Sequence, residues 1–168
     1  LIEMRLCYLI AFLFYITNIN YTKNTIFDHA LSNLSEYDFF EKPLKNHIPK
    51  KDVIPYNVAS PLFSDYAEKM RFIRVPDGSK ILLDDENNFI YLENTYLIKT
   101  FYYYSDVRDK QSKKHIIETR ILKNTSKGWL SFPYVWNENQ TDAKLNLAGA
   151  RISASWIHFD GNPIEILY

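Results

Sequence analysis

The sequence predicts a mainly β fold, an antiparallel β-sandwich or open barrel with a short N-terminal helix and a Pro-rich extended segment. Three observations carry this. The chain has 13 Tyr and 11 Phe but only 4 Gly in 168 residues, and aromatic side chains pack best on the pleated surface of a strand. From residue 71 onward, short apolar runs recur between turn signals, the spacing of an antiparallel sandwich or barrel. Helical crossovers are missing between these runs, which argues against a parallel sheet.

The elements follow in chain order. Arg5 precedes Leu6–Ile16, LCYLIAFLFYI, an uncharged run of eleven residues. A membrane-spanning helix needs about 20 apolar residues and the core of an export signal about 7 to 15. Residues 1–24 are therefore expected to be an export signal or N-terminal anchor with its polar spacer, and residues 25–168 a single β-rich domain outside the cytoplasm. In 29–40, Leu31, Leu34, Phe39 and Phe40 fall at near-helical spacing, with Ser32 or Ser35 as cap. Pro43, Pro49, Pro55 and Pro61 then deny Glu41–Pro61 a long helix or a central strand.

Strands are expected at 71–75, 80–84, 95–104, 115–123, 129–137, 143–149, 151–159 and 164–168, divided by turns such as PDGS at 76–79 and DGNP at 160–163. The last run, Ile164–Tyr168, closes on apolar residues where a domain usually ends in a soluble tail. The chain is accordingly expected to continue past Tyr168.

Composition excludes several functions. Twenty basic and twenty acidic residues leave no net charge, so no long-range field draws the protein to nucleic acid, and no integral membrane domain is expected beyond the N-terminal anchor. Cys7 is the only cysteine. A chain processed after the signal would hold no disulfide, no thiolate metal site and no Cys-x-x-Cys-His haem attachment, so no cofactor is expected within these residues. The four His, at 29, 47, 115 and 158, show no metal-ligand spacing. For His158, at the end of a strand in SWIHFDG, a surface or satisfied strand His is the preferred reading and a haem or metal ligand the functional one. Glycine-rich phosphate loops and nucleophile-elbow motifs are absent.

Charged residues inside apolar runs mark the candidate site. Lys99 lies in LIKTFYYY and Glu118 in IIETRIL; a hairpin with Tyr104 opposite Lys113 places Lys99 opposite Glu118, and alternation puts Arg120 on the face of Glu118. Such charges must pair or cost several kcal/mol. An ion-pair network that fixes register is the preferred reading; the functional one is a polar site for a small anion or a propionate. Asp65, Tyr66, Lys69 and Arg71 pose the same choice, with Asp65 expected to reach Arg120 or Lys99. A second candidate uses Trp136 with the acceptor-rich turn Asn137, Gln140, Thr141 and Asp142, as a platform for carbohydrate or a loop for Ca²⁺. Trp129, Tyr134 and Trp156 are the other aromatics weighed there, and strand Trp at alternating positions are more often core.

Several blocks carry a resemblance: LSEYDFF at 34–40, PYNVASPLFSDYAEKMRFIRVPDG at 55–78, LIKTFYY at 97–103, IETRIL at 117–122 and GWLSFPYVWNENQTDAKLNLAGA at 128–150. In this order they resemble a family of bacterial extracytoplasmic proteins described as conserved hypothetical or dihaem c-type cytochrome. The resemblance implies a β-rich domain followed by a haem-attachment segment. It further implies haem c in the full-length protein and a c-type haem segment or cytochrome as partner. The chain departs from the family in LENTY at 92–96 and in lacking the haem motif. Three functions stay open: a non-catalytic domain supporting a haem segment, a carbohydrate or surface-polymer binding module, and an enzyme built on Asp65, Lys69, Glu118 and Arg120.

Overall fold

A computed structural model describes residues 29–168. The apolar run Leu6–Ile16, and with it the expected export signal, lies outside the described residues. Contacts divide the chain into Leu1–Leu31 and Ser32–Tyr168, and every element below belongs to the second unit.

The fold is mainly β and antiparallel. One sheet has six strands, in the order β1 (Val53–Pro55), β2 (Glu68–Arg74), β5 (Tyr96–Tyr104), β6 (Lys114–Thr125), β7 (Gly128–Trp136) and β8 (Ala143–Leu145). Two hairpins stand apart from it, β3 (Leu82–Leu83) with β4 (Phe89–Ile90), and β9 (Ser153–Ile157) with β10 (Pro163–Leu167). The six-stranded sheet is open and does not close into a barrel.

Two short elements were not readable from the sequence, β1 and β4. Pro55 is compatible with β1 because β1 is an edge strand, where a missing N–H breaks no ladder. Pro133 sits inside β7 for a related reason. Its carbonyl accepts from the Asn146 N–H at 2.9 Å, so its nitrogen faces the same side, just past the last β8 residue, Leu145.

The expected helix near residue 35 is a single 3-10 turn, Leu34–Tyr37, preceded by Asn33 without a side-chain cap. Neither serine caps it: the Ser35 N–H and hydroxyl both donate to the Asp142 carboxylate, at 3.1 and 2.6 Å. The segment after it is extended as expected, apart from a second 3-10 turn at Leu44–Asn46 and β1.

This N-terminal segment covers one face of the sheet. Ladder pairing aligns Phe72, Ile98, Ile121 and Phe132 across four strands, all of them at most 5% exposed. Phe40 stacks edge-on against Phe72 at 4.9 Å, and the Tyr37 and Tyr134 hydroxyls meet at 2.8 Å. Burying side chains of this size contributes about 1.5–3 kcal/mol each.

The same core holds a directional chain of hydrogen bonds. The indole N–H of Trp136, a donor only, donates to Thr119 Oγ1 at 3.0 Å. Thr119 Oγ1 lies 2.8 Å from Thr100 Oγ1, which lies 3.0 Å from His47 Nε2. The Lys45 carbonyl can only accept, so the neutral ring carries its proton on Nδ1 and accepts at Nε2; Thr100 therefore donates to His47 and Thr119 to Thr100. His47 then donates its Nδ1 proton to the Lys45 carbonyl at 3.3 Å. Burial lowers the His47 pKa to about 4, which keeps the ring a neutral acceptor.

Candidate functional site

The opposite face of the sheet is only half covered. At one end the β9–β10 hairpin lies on it, packing Ala154 and Trp156 against Phe101, Tyr103 and Ile117; the Tyr103 and Trp156 rings stack at 4.7 Å. The rest of the face forms the floor of a cleft of about 860 Å³, walled by Leu62, Ser64 and Asp65, by the loop 146–150 and by the end of β10.

Register decides what that floor carries. Arg71 of β2 lies opposite Lys99 of β5, which lies opposite Arg120 of β6. Adjacent to this row of cations runs a second one, Lys69, Phe101, Glu118, Val135 and Lys144. The cleft therefore brings together Asp65, Lys69, Arg71, Lys99, Glu118 and Arg120, six of the residues selected from the sequence. Four cations face two carboxylates, leaving a formal charge of +2.

The expected pairing of Lys99 with Glu118 is not formed. The β5–β6 hairpin sets Tyr104 opposite Lys114 rather than Lys113, and a bulge between Phe101 and Tyr102 shifts the register again. The extra residue is Ile117, fully buried against Phe101 and Tyr103, and its packing is the physical reason for the shift. Two single-residue displacements keep Lys99 and Glu118 on one face but move the partner of Lys99 from Glu118 to Arg120.

Glu118 instead binds Arg120 two residues along its own strand, through Nε at 2.5 Å and Nη2 at 3.1 Å. This fork holds the guanidinium firmly protonated. Lys99 makes no ion pair among the described residues; its ammonium lies 5.0 Å above the Phe101 ring. Burial and the cations Arg120, Arg71 and Lys69 together lower its pKa. Arg71 likewise has no acidic partner among the ion pairs of the described residues. Lys69 donates to the Leu62 carbonyl and pins the wall of the cleft to its floor.

Asp65 does not join the network as expected. It lines the cleft without an ion pair to Arg120 or Lys99, on a turn where Asp65 and Tyr66 both adopt positive φ, 42° and 64°. That turn is closed by the Ala67 N–H on the Ser64 carbonyl at 2.7 Å. Sequence reasoning missed Phe101 and Tyr168, which also line the cleft. Phe101 was findable, standing two residues from Lys99 on one strand face. Burial, ahead of the nearby Glu118 carboxylate, pushes the Tyr168 phenol up to about 12, so it is neutral and able to donate.

The side chains of the second candidate region make bonds within the fold. Trp136 is 6% exposed and spends its N–H on Thr119, so it offers no platform to a sugar. Asn137 closes its own turn, accepting from the Thr141 N–H at 3.0 Å. Asp142 caps the segment at Ser35, and Gln140 bonds the backbone of Ile116 at 2.7 and 2.9 Å. Tyr134 and Trp156 are core as well; Trp129 is the half-exposed one, set edge-on to Tyr91.

His158 packs edge-on against Tyr66 at 5.0 Å, with Nδ1 at 3.5 Å from Asp160. Among the described residues no three metal-ligating side chains come together. No protein-family model, curated protein or solved structure matches the chain.

Proposed function

We propose that the chain is an extracytoplasmic, non-catalytic β domain that holds an anionic group of its partner in the cationic cleft. The carrying observation is the row Arg71, Lys99 and Arg120, in which only Arg120 has a carboxylate partner. Like charges directly opposite each other on a sheet are destabilising by up to about 1 kcal/mol per pair. A bound anion turns that repulsion into charge-assisted hydrogen bonds worth about 1.5–3 kcal/mol each.

Two charged groups of the site are already engaged within the fold, Glu118 by Arg120 and Lys69 by a backbone carbonyl. This favours binding over the hydrolase or oxidoreductase alternative.

The resemblance to dihaem cytochrome-associated proteins names one partner with suitable chemistry, a c-type haem segment. Covalent attachment cannot use this chain's described residues, which contain no cysteine. The cleft residues suit the other end of the group: Arg71, Lys99 and Arg120 would hold its carboxylates. Haem would supply electron transfer when bound; this chain's residues would bind and orient it.

Titration of the purified protein with succinate and with inorganic phosphate, followed by chemical shifts of the β2, β5 and β6 amides, tests the reading. Binding that weakens with added salt and drops about tenfold in Lys99→Met is expected, the cost of one charge-assisted bond. Shifts that are absent, or unchanged in Lys99→Met, overturn it.

A further inference from the structure

The cationic cleft does not end at its cations. It shares Leu62, Ser64 and Lys69 with a neighbouring pocket of about 300 Å³, lined further by Phe63, Tyr66 and Phe159. The lip between them is apolar and open to solvent: Leu62 is 82% exposed, Phe63 68% and Phe159 63%. It is also fixed in place. Lys69 holds the Leu62 carbonyl, the Ser64–Ala67 turn is hydrogen-bonded, and the Phe63 and Tyr66 rings meet edge-on at 5.3 Å. Apolar side chains held outward on a preformed turn, beside unpaired cations, make a groove with two chemistries in series.

We propose that the occupant is an extended segment of a partner protein carrying two carboxylates next to a large apolar side chain. This rests on the anion-binding reading above and adds the class of partner. Charge complementarity argues for it: among the described residues, Arg71 and Lys99 are the two cleft cations without an acid or a carbonyl to bind. Spacing agrees. Adjacent strands place them about 4.8 Å apart at the backbone, and residues i and i+2 of an extended chain stand about 6.6 Å apart on one face. Acidic side chains separated by one residue therefore reach neighbouring cations, and the chain beyond them runs over Leu62 towards Phe63 and Phe159.

Two other occupants fit less well. A small anion uses the cations and leaves the apolar lip idle. A membrane surface is flat, whereas Lys69, Arg71 and Lys99 are half-buried on the floor of a cleft and do not project beyond the lip.

The test is fluorescence anisotropy with the full chain and a labelled peptide, Asp-Ala-Glu-Leu-Phe, against the controls Asn-Ala-Gln-Leu-Phe and Asp-Ala-Glu-Ser-Ser. Expected is an affinity for the first peptide at least about tenfold above either control. Phe63→Ser with Phe159→Ser, at two residues that line only the neighbouring pocket, should remove that advantage while leaving succinate binding intact, and Lys99→Met should weaken both; Lys99→Arg should restore them. Equal binding of the first and the serine peptide, with succinate still bound, overturns the segment and leaves a small-anion site. Loss of succinate binding itself brings down the underlying reading. Sedimentation with phosphatidylglycerol vesicles without peptide binding assigns the groove to a membrane and overturns the proposal.

Discussion

Lys99 stands directly opposite Arg120 across the β5–β6 ladder, with Arg71 opposite it on the other side. Three cations in one cross-strand row are a cost to the empty sheet, because facing like charges are destabilising, and only Arg120 is relieved, by Glu118. An anion bound along the row, as proposed above, would offset that cost.

The first prediction follows from that conflict. Lys99→Met removes both facing repulsions and keeps the stem of the side chain over Phe101. The variant should be more stable than the parent by about 0.5–1 kcal/mol in urea and should bind anions more weakly. A loss of stability instead would show that Lys99 is part of the scaffold.

Glu118 should behave in the opposite sense. It is 7% exposed and its carboxylate forks onto Arg120. Replacement by Gln loses the charge-assisted bonds at a cost of about 1–2 kcal/mol, discounted because the Arg120 side chain is 45% exposed. It also frees Arg120 for the ligand, so succinate should bind more tightly. A double-mutant cycle should find clear coupling between Glu118 and Arg120 and less between Glu118 and Lys99. Larger coupling to Lys99 would restore the hairpin register expected from sequence alone.

That register shows what the sequence can and cannot carry. Period-two alternation put Lys99, Glu118 and Arg120 on one face, and the structure agrees, because the two displacements together preserve parity. The partner across the ladder depended on how the loop between β5 and β6 closes and on a bulge set by the burial of Ile117, and neither leaves a local signal. His47 was unreadable for a similar reason: in KNHIP it is a polar loop residue, and its acceptor role rests on Thr100, 53 positions away. Trp136 drew attention as a binding aromatic, whereas its N–H is the start of the same buried chain.

His47 carries the third prediction. Its pKa is about 4 in the fold against 6.5 unperturbed, so between these values the unfolded chain binds more protons than the folded one. Stability is then level above about pH 6.5, falls as pH drops through the window, and flattens below about pH 4, a total near 3 kcal/mol. Protonation at Nε2 also removes the acceptor to which Thr100 donates. His47→Gln, with a carbonyl able to accept from Thr100, should lose this acid limb. Urea midpoints at about pH 7 and pH 4.5 that fall equally in parent and variant would rule the histidine out as its source.

The last prediction concerns the haem partner that the resemblance implies. The sole cysteine is Cys7, inside the expected export signal, so thioether attachment to the described residues has no sulfur to use. In a host that matures c-type haem, residues 1–168 should yield a colourless protein. The gene that encodes this chain, carried to its stop codon, should yield a product that keeps haem absorbance after denaturation. Lys99→Met in that product should leave the covalent haem in place but raise its exposure to reductants and exogenous ligands, because the cleft as proposed would position the group without bonding it. A colourless product from the complete gene would remove haem as the partner, and the acidic segment of another protein would then be the occupant to pursue.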